Sequence, residues 1–409
     1  MNFLTVDTIE EARKKLLSCT GNWKIPVEQV EITQASDRIL AEDIITYEDI
    51  PHFRRSTVDG YAVKSCDTQG AGESIPVLLK CLGQVEMGKI ADFTLYHGEC
   101  VYVPTGAMVP DEADAMVMVE YSEVFDNKTV VIYESAAVGN SIVRIGEDAH
   151  KGDILLRRGT KIHSQQIGVL AAAGITKVPV YVPLKIAIIS SGDELKCPSV
   201  SPGPAEVRDV NTFALGALAK ESGFQIVMSK TIADEENLLE ETILDAMKKS
   251  DIVVLSGGSS QGAKDMTAKV FSQIAKPGVF THGLALKPGK PAILGYDKES
   301  DSILAGLPGH PVSALIVFRI LLSWLLRQLT FQKEPLPVVA KISCNVSGSP
   351  GRASYQPVVM RFKNSGYIAE PVFGKAGMIS TLTESDGYVV IDLNKEGLKE
   401  GEDVLVFLW

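Results

Sequence analysis

The segment 185–195, KIAIISSGDEL, decides the fold class, because an apolar run of strand length ends in a polar turn that contains glycine. Residues 251–262, DIVVLSGGSSQG, and residues 302–311, SILAGLPGHP, show the same order of apolar run and glycine turn. The helical patterns that alternate with these runs cover residues 211–222, 235–249, 264–275 and 312–329. This alternation predicts a central, mostly parallel α/β sheet that is doubly wound, with helices on both faces.

The three glycine turns, at residues 190–195, 256–262 and 306–311, follow three strands of the predicted sheet. Ligands of open parallel sheets bind beyond the carboxyl ends of the strands, so the turns are expected at one edge. A lone glycine turn is usually only a turn, but three at one edge predict a site. Glycine lets backbone N–H groups approach an anion, and the helices that begin after two of the turns favour phosphate. The turns lack the Walker A and GxGxxG patterns, which disfavours a P-loop kinase and a nicotinamide dehydrogenase.

Two lysines, Lys287 and Lys290, lie on a constrained loop with the sequence KPGKP. Proline and glycine prevent a regular helix there. Taken alone, the loop is equally typical of a solvated turn. Its place between two predicted strands of the sheet favours a clamp for an oxyanion, because two ammonium groups repel each other unless an anion lies between them.

Carboxylates accompany the same turns. Each of them is compatible with a helix N-cap or a solvated loop charge. Together, beside anion-binding loops, they indicate Mg²⁺ held by carboxylates and phosphate oxygens, as phosphoryl or nucleotidyl chemistry requires. The residues in question are Asp193, Glu194, Asp209, Asp234 and Asp265.

The flanking regions have different patterns. A helix is predicted to start at Thr8 with a capping box to Glu11, and a second helical pattern covers residues 164–173. We expect these two helices to pack together as one domain from two segments. Short strands dominate between them and again near the C-terminus. The predicted domains are a helical domain (1–45 and 144–178), an inserted β domain (46–143), the α/β domain (179–330) and a C-terminal β barrel or sandwich (331–409).

Composition excludes several classes of protein. The net charge of −11 over 409 residues disfavours a nucleic-acid-binding surface. The longest apolar run, residues 312–326, is shorter than the roughly 20 residues of a membrane span and contains Arg319, so we expect no membrane association. The N-terminus lacks a secretory signal pattern. The six cysteines form no CxxC pair, which argues against a structural zinc site and favours reduced thiols in the cytoplasm.

Seven segments, in order along the chain, resemble the MoeA family of molybdopterin molybdenumtransferases, which includes the C-terminal domain of gephyrin. Any one of the segments is modest support, whereas seven in this order are highly specific. Two further segments, GRASYQPVVM (351–360) and GKAGMISTLTESDGY (374–388), extend the resemblance more weakly. The seven are PHFRRSTVDGYA (51–62), PTGAMVPDEADAMVMVE (104–120), RIGEDAHKGDILLRRGT (144–160), SSGDEL (190–195), SGGSSQGAKD (256–265), LALKPGKP (284–291) and GLPGHPVSA (306–314).

The resemblance implies a molybdenum insertase. Its substrates would be molybdate and adenylylated molybdopterin, which a molybdopterin adenylyltransferase supplies, and Mg²⁺-dependent cleavage would release AMP. The resemblance also implies an elongated homodimer, with each active site between the α/β domain of one subunit and the inserted β domain of the other. That arrangement would bring Asp59 and Thr105 to the glycine turns.

The resemblance assigns roles to individual residues. The implied catalytic residues are Asp59, Glu194, Asp265, Lys287 and Lys290, of which Glu194 and Asp265 would hold Mg²⁺ or position water. The implied molybdate ligands are Ser260, Lys287 and Lys290, with Arg352 and Ser380 from the last domain. The implied contacts to the pterin substrate are Thr105, Asp148, Ser191, Gly192, Asp209, Asp234, Gly257, Gly258, Ser259, Ser260, Gly262, Pro308, Gly309 and His310.

The sequence departs from the family pattern at five positions, which are Arg208, Ser259, Met266, Gly283 and His310. The family usually has asparagine at His310, and some members have a lysine at Gly283. His310 either adds a donor or titrating group or merely satisfies the loop backbone. Two other functions remain open: the related adenylyltransferase, normally a single α/β domain, and a catalytically silent gephyrin-like scaffold. The flanking domains argue against the first, and the retained carboxylates and lysines argue against the second.

Overall fold

The computed structural model describes residues 6–257, 261–363, 366–375 and 377–409, with the backbone alone for residues 261–265. Before the α/β domain, the elements are α1 Ile9–Thr20, β1 Val27–Glu31, β2 Ile44–Ile45, β3 Arg55–Ser56, β4 Gly60–Val63, β5 Val77–Gln84, β6 Glu99–Val103, β7 Ala115–Met118, β8 Ser122–Asp126, β9 Thr129–Ile132, β10 Ile142–Val143, β11 Ile154–Leu156, α2 Ser164–Ala172 and β12 Lys177–Tyr181.

The α/β and C-terminal parts follow. The α/β part contains β13 Lys185–Ser191, β14 Leu195–Lys196, β15 Val207–Arg208, α3 Asn211–Ser222, β16 Gln225–Ile232, α4 Glu236–Met247, β17 Ile252–Gly257, α5 Gln261–Ile274, β18 Pro277–His282, β19 Leu286–Lys287, β20 Ile293–Asp297, β21 Ser302–Leu307, α6 Pro311–Phe318 and α7 Trp324–Leu329. The C-terminal part contains β22 Val338–Ile342, β23 Val346–Ser347, β24 Ala353–Lys363, β25 Gly366–Pro371, α8 Ser380–Thr383, β26 Gly387–Ile391, β27 Gly397–Leu398 and β28 Asp403–Leu408.

Two separate chain segments form one small unit through strand pairing. Strand β1 pairs antiparallel with β12, and β2 pairs antiparallel with β11. The core of this unit contains the fully buried side chains of Leu40, Ile162 and, from α2, Leu170. The unit carries the inserted β domain, whose six strands have the order β7-β4-β6-β5-β9-β8.

The prediction that α1 packs against α2 is wrong. The capping box of Thr8 and Glu11 is present, but the apolar face of α1 joins the core of the α/β domain. Arg13 donates to the backbone oxygen of Ile320 from Nε at 3.1 Å and from Nη2 at 2.9 Å, and its guanidinium lies 4.6 Å from the ring centroid of Trp324. The reason is area, because the apolar helical stretch 311–329 offers α1 a much larger surface than the single buried Leu170 of α2.

The central sheet has the strand order β16-β13-β17-β21-β20-β18, with its first four strands parallel. Helices α3 and α6 cover one face, and α4 and α5 cover the other. Strands β18 and β20 pair antiparallel, which differs from a fully parallel sheet. The links between β18, β20 and β21 are too short for the dozen or more residues that a parallel crossover needs.

The C-terminal strands close into a barrel. The pairings β24-β25-β22-β28-β26 return to β24, so the sheet has no free edge in that ring. Strand β19, from the loop that carries Lys287, pairs parallel with β24. The KPGKP loop therefore joins the α/β domain to the barrel.

The helical stretch Pro311–Leu329 is long and apolar enough, by composition alone, to cross a membrane. However, 67% of its most apolar window is buried inside the protein, as in the core helix of a soluble protein. Its middle turn, Arg319–Ser323, is π-helical, and the guanidinium of Arg319 lies 5.5 Å from the ring centroid of Trp409. The helix thus serves as a packing surface between α1, the sheet and the barrel.

Candidate functional site

The glycine turns meet at one sheet edge, as the sequence predicts. In the register of the sheet, Ser191 lies opposite Gly257, and Ser256 lies opposite Leu307. A cavity of about 400 Å³ opens at this edge, which we call the glycine-loop cavity. Its described lining includes Ser190, Ser191, Glu194, Arg208, Asp209, Asn211, Ser256, Gly257, Gly309, His310 and Gly377.

Asn211 fastens two of the three turns together. Its Nδ2 donates to Ser256 Oγ at 2.7 Å and to the backbone oxygen of Gly309 at 2.8 Å. The side chain is 8% exposed, and its Oδ1 has no hydrogen-bond partner within the described part of the chain. A buried acceptor without a partner is unfavourable by about 1–3 kcal/mol, so this wall of the cavity is suited to a donor from a ligand. The sequence prediction missed Asn211 as a site residue, although Asn211 is the first residue of the helix predicted over residues 211–222.

Asp209, a predicted pterin contact, is a buried structural carboxylate. It accepts hydrogen bonds from Thr212 N at 3.0 Å, Thr212 Oγ1 at 2.5 Å and Thr231 Oγ1 at 2.6 Å. Asp234 accepts a short hydrogen bond from Ser191 Oγ, which ties the end of β13 to the segment after β16. Asp209 therefore links the start of α3 to β16, and Asp234 holds the first turn in place; their contact to a pterin stays a prediction.

A second cavity, of about 500 Å³, lies between the KPGKP loop and the barrel, and we call it the lysine cavity. Lys287 and Lys375 both line it, and neither forms an ion pair with a carboxylate in the described part of the chain. Burial raises the pKa of the Tyr355 phenol, so this wall residue stays a neutral hydroxyl group at physiological pH. The other polar residues in its lining are Asn345, Ser347, Ser354, Gln356 and Thr381.

Ser354 contributes a buried polar group to the wall of the lysine cavity. The residue is 7% exposed, and its Oγ has no hydrogen-bond partner among the described residues. Ser354 lies directly opposite Lys287 in the parallel pairing of β19 with β24. Two lysines with hydroxyl and amide groups, and no acid among the residues described for the lining, suit an oxyanion.

The two cavities share walls. Pro311 at the start of α6 lines the glycine-loop cavity, and Val312 lines the lysine cavity. Residues of the barrel also border both cavities, Gly377 the glycine-loop cavity and Gly374 and Lys375 the lysine cavity. The two cavities are therefore neighbours at the start of α6.

Several predicted molybdate ligands lie near this region without lining the lysine cavity among its described residues. Lys290, Arg352 and Ser380 are exposed, and the last two directly precede segments that contribute Ser354 and Thr381 to the wall. Their role stays a prediction. Gly258, Ser259 and Ser260 lie outside the described residues. Gly262 and Asp265 fall in the first turns of α5, where only the backbone is described.

The predicted residues of the inserted domain lie together in part. Asp59 and Thr105 are exposed and adjacent, and the Thr105 N–H donates to Asp59 Oδ1 at 2.8 Å. Asp148 lines a different cavity, of about 870 Å³, with Arg157 and Gln165. None of these three belongs to the described lining of the glycine-loop or lysine cavity in the same chain.

Two departures from the family pattern have structural consequences. Gly283 has a φ of 99°, and a Cβ there would approach Val6 Cγ1 to 2.7 Å, so glycine suits the strained backbone and the close contact. His310 is exposed at the N-cap of α6 and makes no side-chain cap, and a Cβ on Gly377 would lie 3.3 Å from its ring. Its ring thus borders the segment between the two cavities.

Comparisons with known proteins cover almost the whole chain. Residues 7–174 match the MoeA N-terminal region (domain I and II), residues 187–328 match a probable molybdopterin binding domain, and residues 339–409 match the MoeA C-terminal region (domain IV).

Individual relatives match along nearly their full length. A molybdopterin molybdenumtransferase of Haemophilus influenzae is 30% identical, over 98% of this chain and 98% of that protein. A putative molybdopterin biosynthesis protein of Methanocaldococcus jannaschii is 31% identical, over 93% and 92%. A solved MoeA molybdopterin biosynthesis protein of Pyrococcus horikoshii OT3 is 29% identical and superposes with a TM-score of 0.78, over 99% and 100% of the two chains. The chain is therefore a member of the MoeA family of molybdopterin molybdenumtransferases.

Proposed function

We propose that the chain inserts molybdate into adenylylated molybdopterin, with Mg²⁺ and with release of AMP, in the last step of molybdenum cofactor biosynthesis. One observation carries the proposal: a cavity lined by glycine turns and a cavity lined by lysines lie side by side and share the start of α6. The first suits a phosphate-bearing pterin, because backbone N–H groups and a helix N-terminus border it. The second suits a tetrahedral dianion.

The chain's own groups account for binding and orientation. Lys287 and Lys375 would hold the oxyanion against the barrel, and Ser354 would donate to it. Asn211 keeps the second and third glycine turns in register, so that the pterin meets a fixed wall. Pro311 and Val312 are adjacent and line one cavity each, so the two substrates would bind next to each other.

The donor chemistry of the glycine-loop cavity fits Mg²⁺, which prefers carboxylate, amide and phosphate oxygens. The Glu194 carboxylate lines the cavity, and Asn211 contributes an amide oxygen that has no protein partner among the described residues. Asp265 would complete the set from the start of α5. When bound, the ion would neutralise charge that moves between phosphate oxygens.

We further propose a cytoplasmic homodimer in which Asp59 and Thr105 act on the glycine-loop cavity of the partner subunit. The support is that both residues are exposed and that neither is among the described residues that line the glycine-loop cavity of its own chain. A molybdopterin adenylyltransferase would act upstream, because the substrate has to arrive adenylylated.

The central experiment measures AMP release from adenylylated molybdopterin with Mg²⁺ and molybdate. We expect the wild-type protein to release AMP and to yield active cofactor. Asp265→Ala should retain pterin binding and lose turnover. If the wild-type protein binds the pterin but releases no AMP under these conditions, the protein is a scaffold and not an insertase.

The dimer proposal has its own test, subunit complementation. Asp59→Ala and Lys287→Ala proteins should each be inactive. After denaturation and joint refolding, mixed dimers should regain activity, because one of their two sites would combine the intact Asp59 of one subunit with the intact Lys287 of the other. A mixture that stays inactive, although mass measurements show mixed dimers, would refute the shared site.

A further inference from the structure

We propose that Cys66, Asp67 and His97, on the inserted β domain, form a binding site for a divalent metal ion of the zinc class. The Cys66 Sγ, a carboxylate oxygen of Asp67 and a ring nitrogen of His97 all lie within 4.8 Å of one another. The site is independent of the insertase reaction. Asp59 precedes β4 and this cluster follows it, so the two lie at opposite ends of the strand.

The three mutual distances approach those between the ligands of a metal ion. His97 Nδ1 lies 2.8 Å from Asp67 Oδ1 and 3.8 Å from Cys66 Sγ, and that sulfur lies 3.9 Å from the same Asp67 oxygen. For tetrahedral zinc with usual bond lengths, the sulfur-to-nitrogen and sulfur-to-oxygen separations are about 3.5 Å and the nitrogen-to-oxygen separation is about 3.3 Å. Shifts of a few tenths of an ångström would therefore complete a three-ligand site.

The same geometry argues against a catalytic Cys–His–Asp relay. Such a relay uses the two ring nitrogens separately, one toward the nucleophile and the other toward the carboxylate. Here the thiol and the carboxylate approach the same atom, Nδ1 of His97. Three potential ligand atoms that lie within 4.8 Å of one another are the arrangement expected of a metal site.

The backbone holds the ligands in place before any ion binds. Cys66 and Asp67 lie in the 3₁₀ turn Ser65–Thr68, which Asp114 fastens by accepting from Ser65 N at 2.5 Å and from Ser65 Oγ at 2.9 Å. The second oxygen of Asp67 accepts from the Gly98 N–H at 2.9 Å, which orients the carboxylate. A ligand that is held by such an outer hydrogen bond loses little freedom on binding.

The exposure of the cluster defines its type. Cys66 and His97 are exposed and Asp67 is half-buried, so an ion can enter from solvent and keep water as its remaining ligand. Mixed sulfur, nitrogen and oxygen ligands favour zinc over Mg²⁺, which prefers oxygen alone. The site needs one cysteine, so the lack of a CxxC pair does not count against it.

Cobalt(II) is the probe, because a cobalt–thiolate bond gives a charge-transfer absorption band that oxygen ligands do not give. Titration of the full-length protein should produce this band with one equivalent of Co²⁺, and Zn²⁺ should abolish it. Cys66→Ser should eliminate the band. His97→Gln and Asp67→Asn should weaken Co²⁺ binding by at least about tenfold, as even the loss of an outer-shell partner does.

Two substitutions serve as matched controls. Cys197 is an exposed thiol whose Sγ lies 3.1 Å from Ser199 Oγ, and His150 is an imidazole that lies 3.5 Å from the Asp49 carboxylate. Cys197→Ser and His150→Gln should leave the band and its midpoint unchanged. Absence of the band in the wild-type protein, or equal losses in the control variants, would overturn the proposal.

Discussion

Asn211→Ala tests whether the glycine-loop cavity depends on the link between its turns. The substitution removes two hydrogen bonds, to Ser256 Oγ and to the backbone oxygen of Gly309. Each such loss in a buried place costs about 1–3 kcal/mol, or about 2–6 kcal/mol together. Removal of the unpartnered Oδ1 stabilises the folded state by about 1–3 kcal/mol, because a buried acceptor without a hydrogen bond is no longer present. With the midpoints of these ranges, about 4 minus about 2, the expected net loss of local stability is about 2 kcal/mol, and we take about 1–3 kcal/mol as its range.

Hydrogen exchange measures this quantity where the loss should occur. At the edge of the sheet, a loss of about 1–3 kcal/mol corresponds to exchange that is about 5–150 times faster, since 1.4 kcal/mol is a factor of ten. We expect this acceleration at the amides of Gly306 and Leu307, together with a raised KM for the pterin substrate. Asn140→Ala is the control, because Asn140 Nδ2 also donates to a backbone oxygen, that of Met116 at 3.2 Å, but in the inserted domain. Unchanged exchange in Asn211→Ala would show that the turns are held by other contacts and would refute the reasoning.

Three more predictions concern the lysine cavity and the stability of the α/β domain. Lys375→Ala should raise the molybdate concentration for half-maximal AMP release about tenfold or more, because a charged hydrogen bond is worth about 1.5–3 kcal/mol; the exposed Lys298→Ala should leave it unchanged. Asp209→Ala should lower the free energy of unfolding by about 3 kcal/mol or more, measured by urea denaturation, because three hydrogen bonds to a buried carboxylate are lost. Burial and the hydrogen bond to Asp301 raise the pKa of Tyr296 from 10.0 to about 12. Because the pKa is higher in the folded state, the contribution of Tyr296 to the free energy of unfolding is fully present below pH 10 and is lost as the pH rises through 12. Tyr296→Phe should therefore flatten the dependence of the free energy of unfolding on pH in that window.

The strands and glycine turns of the α/β domain could be predicted because their signals are local. A buried parallel strand is a continuous apolar run, and its carboxyl end is marked by glycine and hydroxyl residues, as at Ser190 and Ser256. Sheet topology then brings these turns to one edge without further information. The predicted helix at 211–222 has the bounds that the structure shows.

The parts that could not be predicted depend on contacts between distant segments. The docking of α1 on α7 depends on which apolar surface is larger, and periodicity does not contain this information. Asp209 is predicted as a pterin contact, but the hydrogen bond that Thr231 donates to it from β16 joins distant segments and could not be predicted. Lys375 lay in a segment of weak resemblance, and only the barrel's contact with the KPGKP loop brings it beside Lys287.

The need for both lysines follows from a comparison of magnitudes. The start of α6 borders both cavities, and a helix N-terminus stabilises an anion by about 0.3–1 kcal/mol at an exposed site. Two dianions about 10 Å apart in water repel by about 1.7 kcal/mol, and by more in a less polar cavity. The helix end alone cannot offset this repulsion when a phosphate-bearing pterin and an oxyanion are bound together. On the proposed function, Lys287 and Lys375 would supply much of the remainder together with Mg²⁺. A bound pterin substrate displaces water and lowers the local dielectric constant, which strengthens the attraction between each lysine and the oxyanion. Loss of either lysine should therefore weaken oxyanion binding more in the presence of the pterin substrate than in its absence.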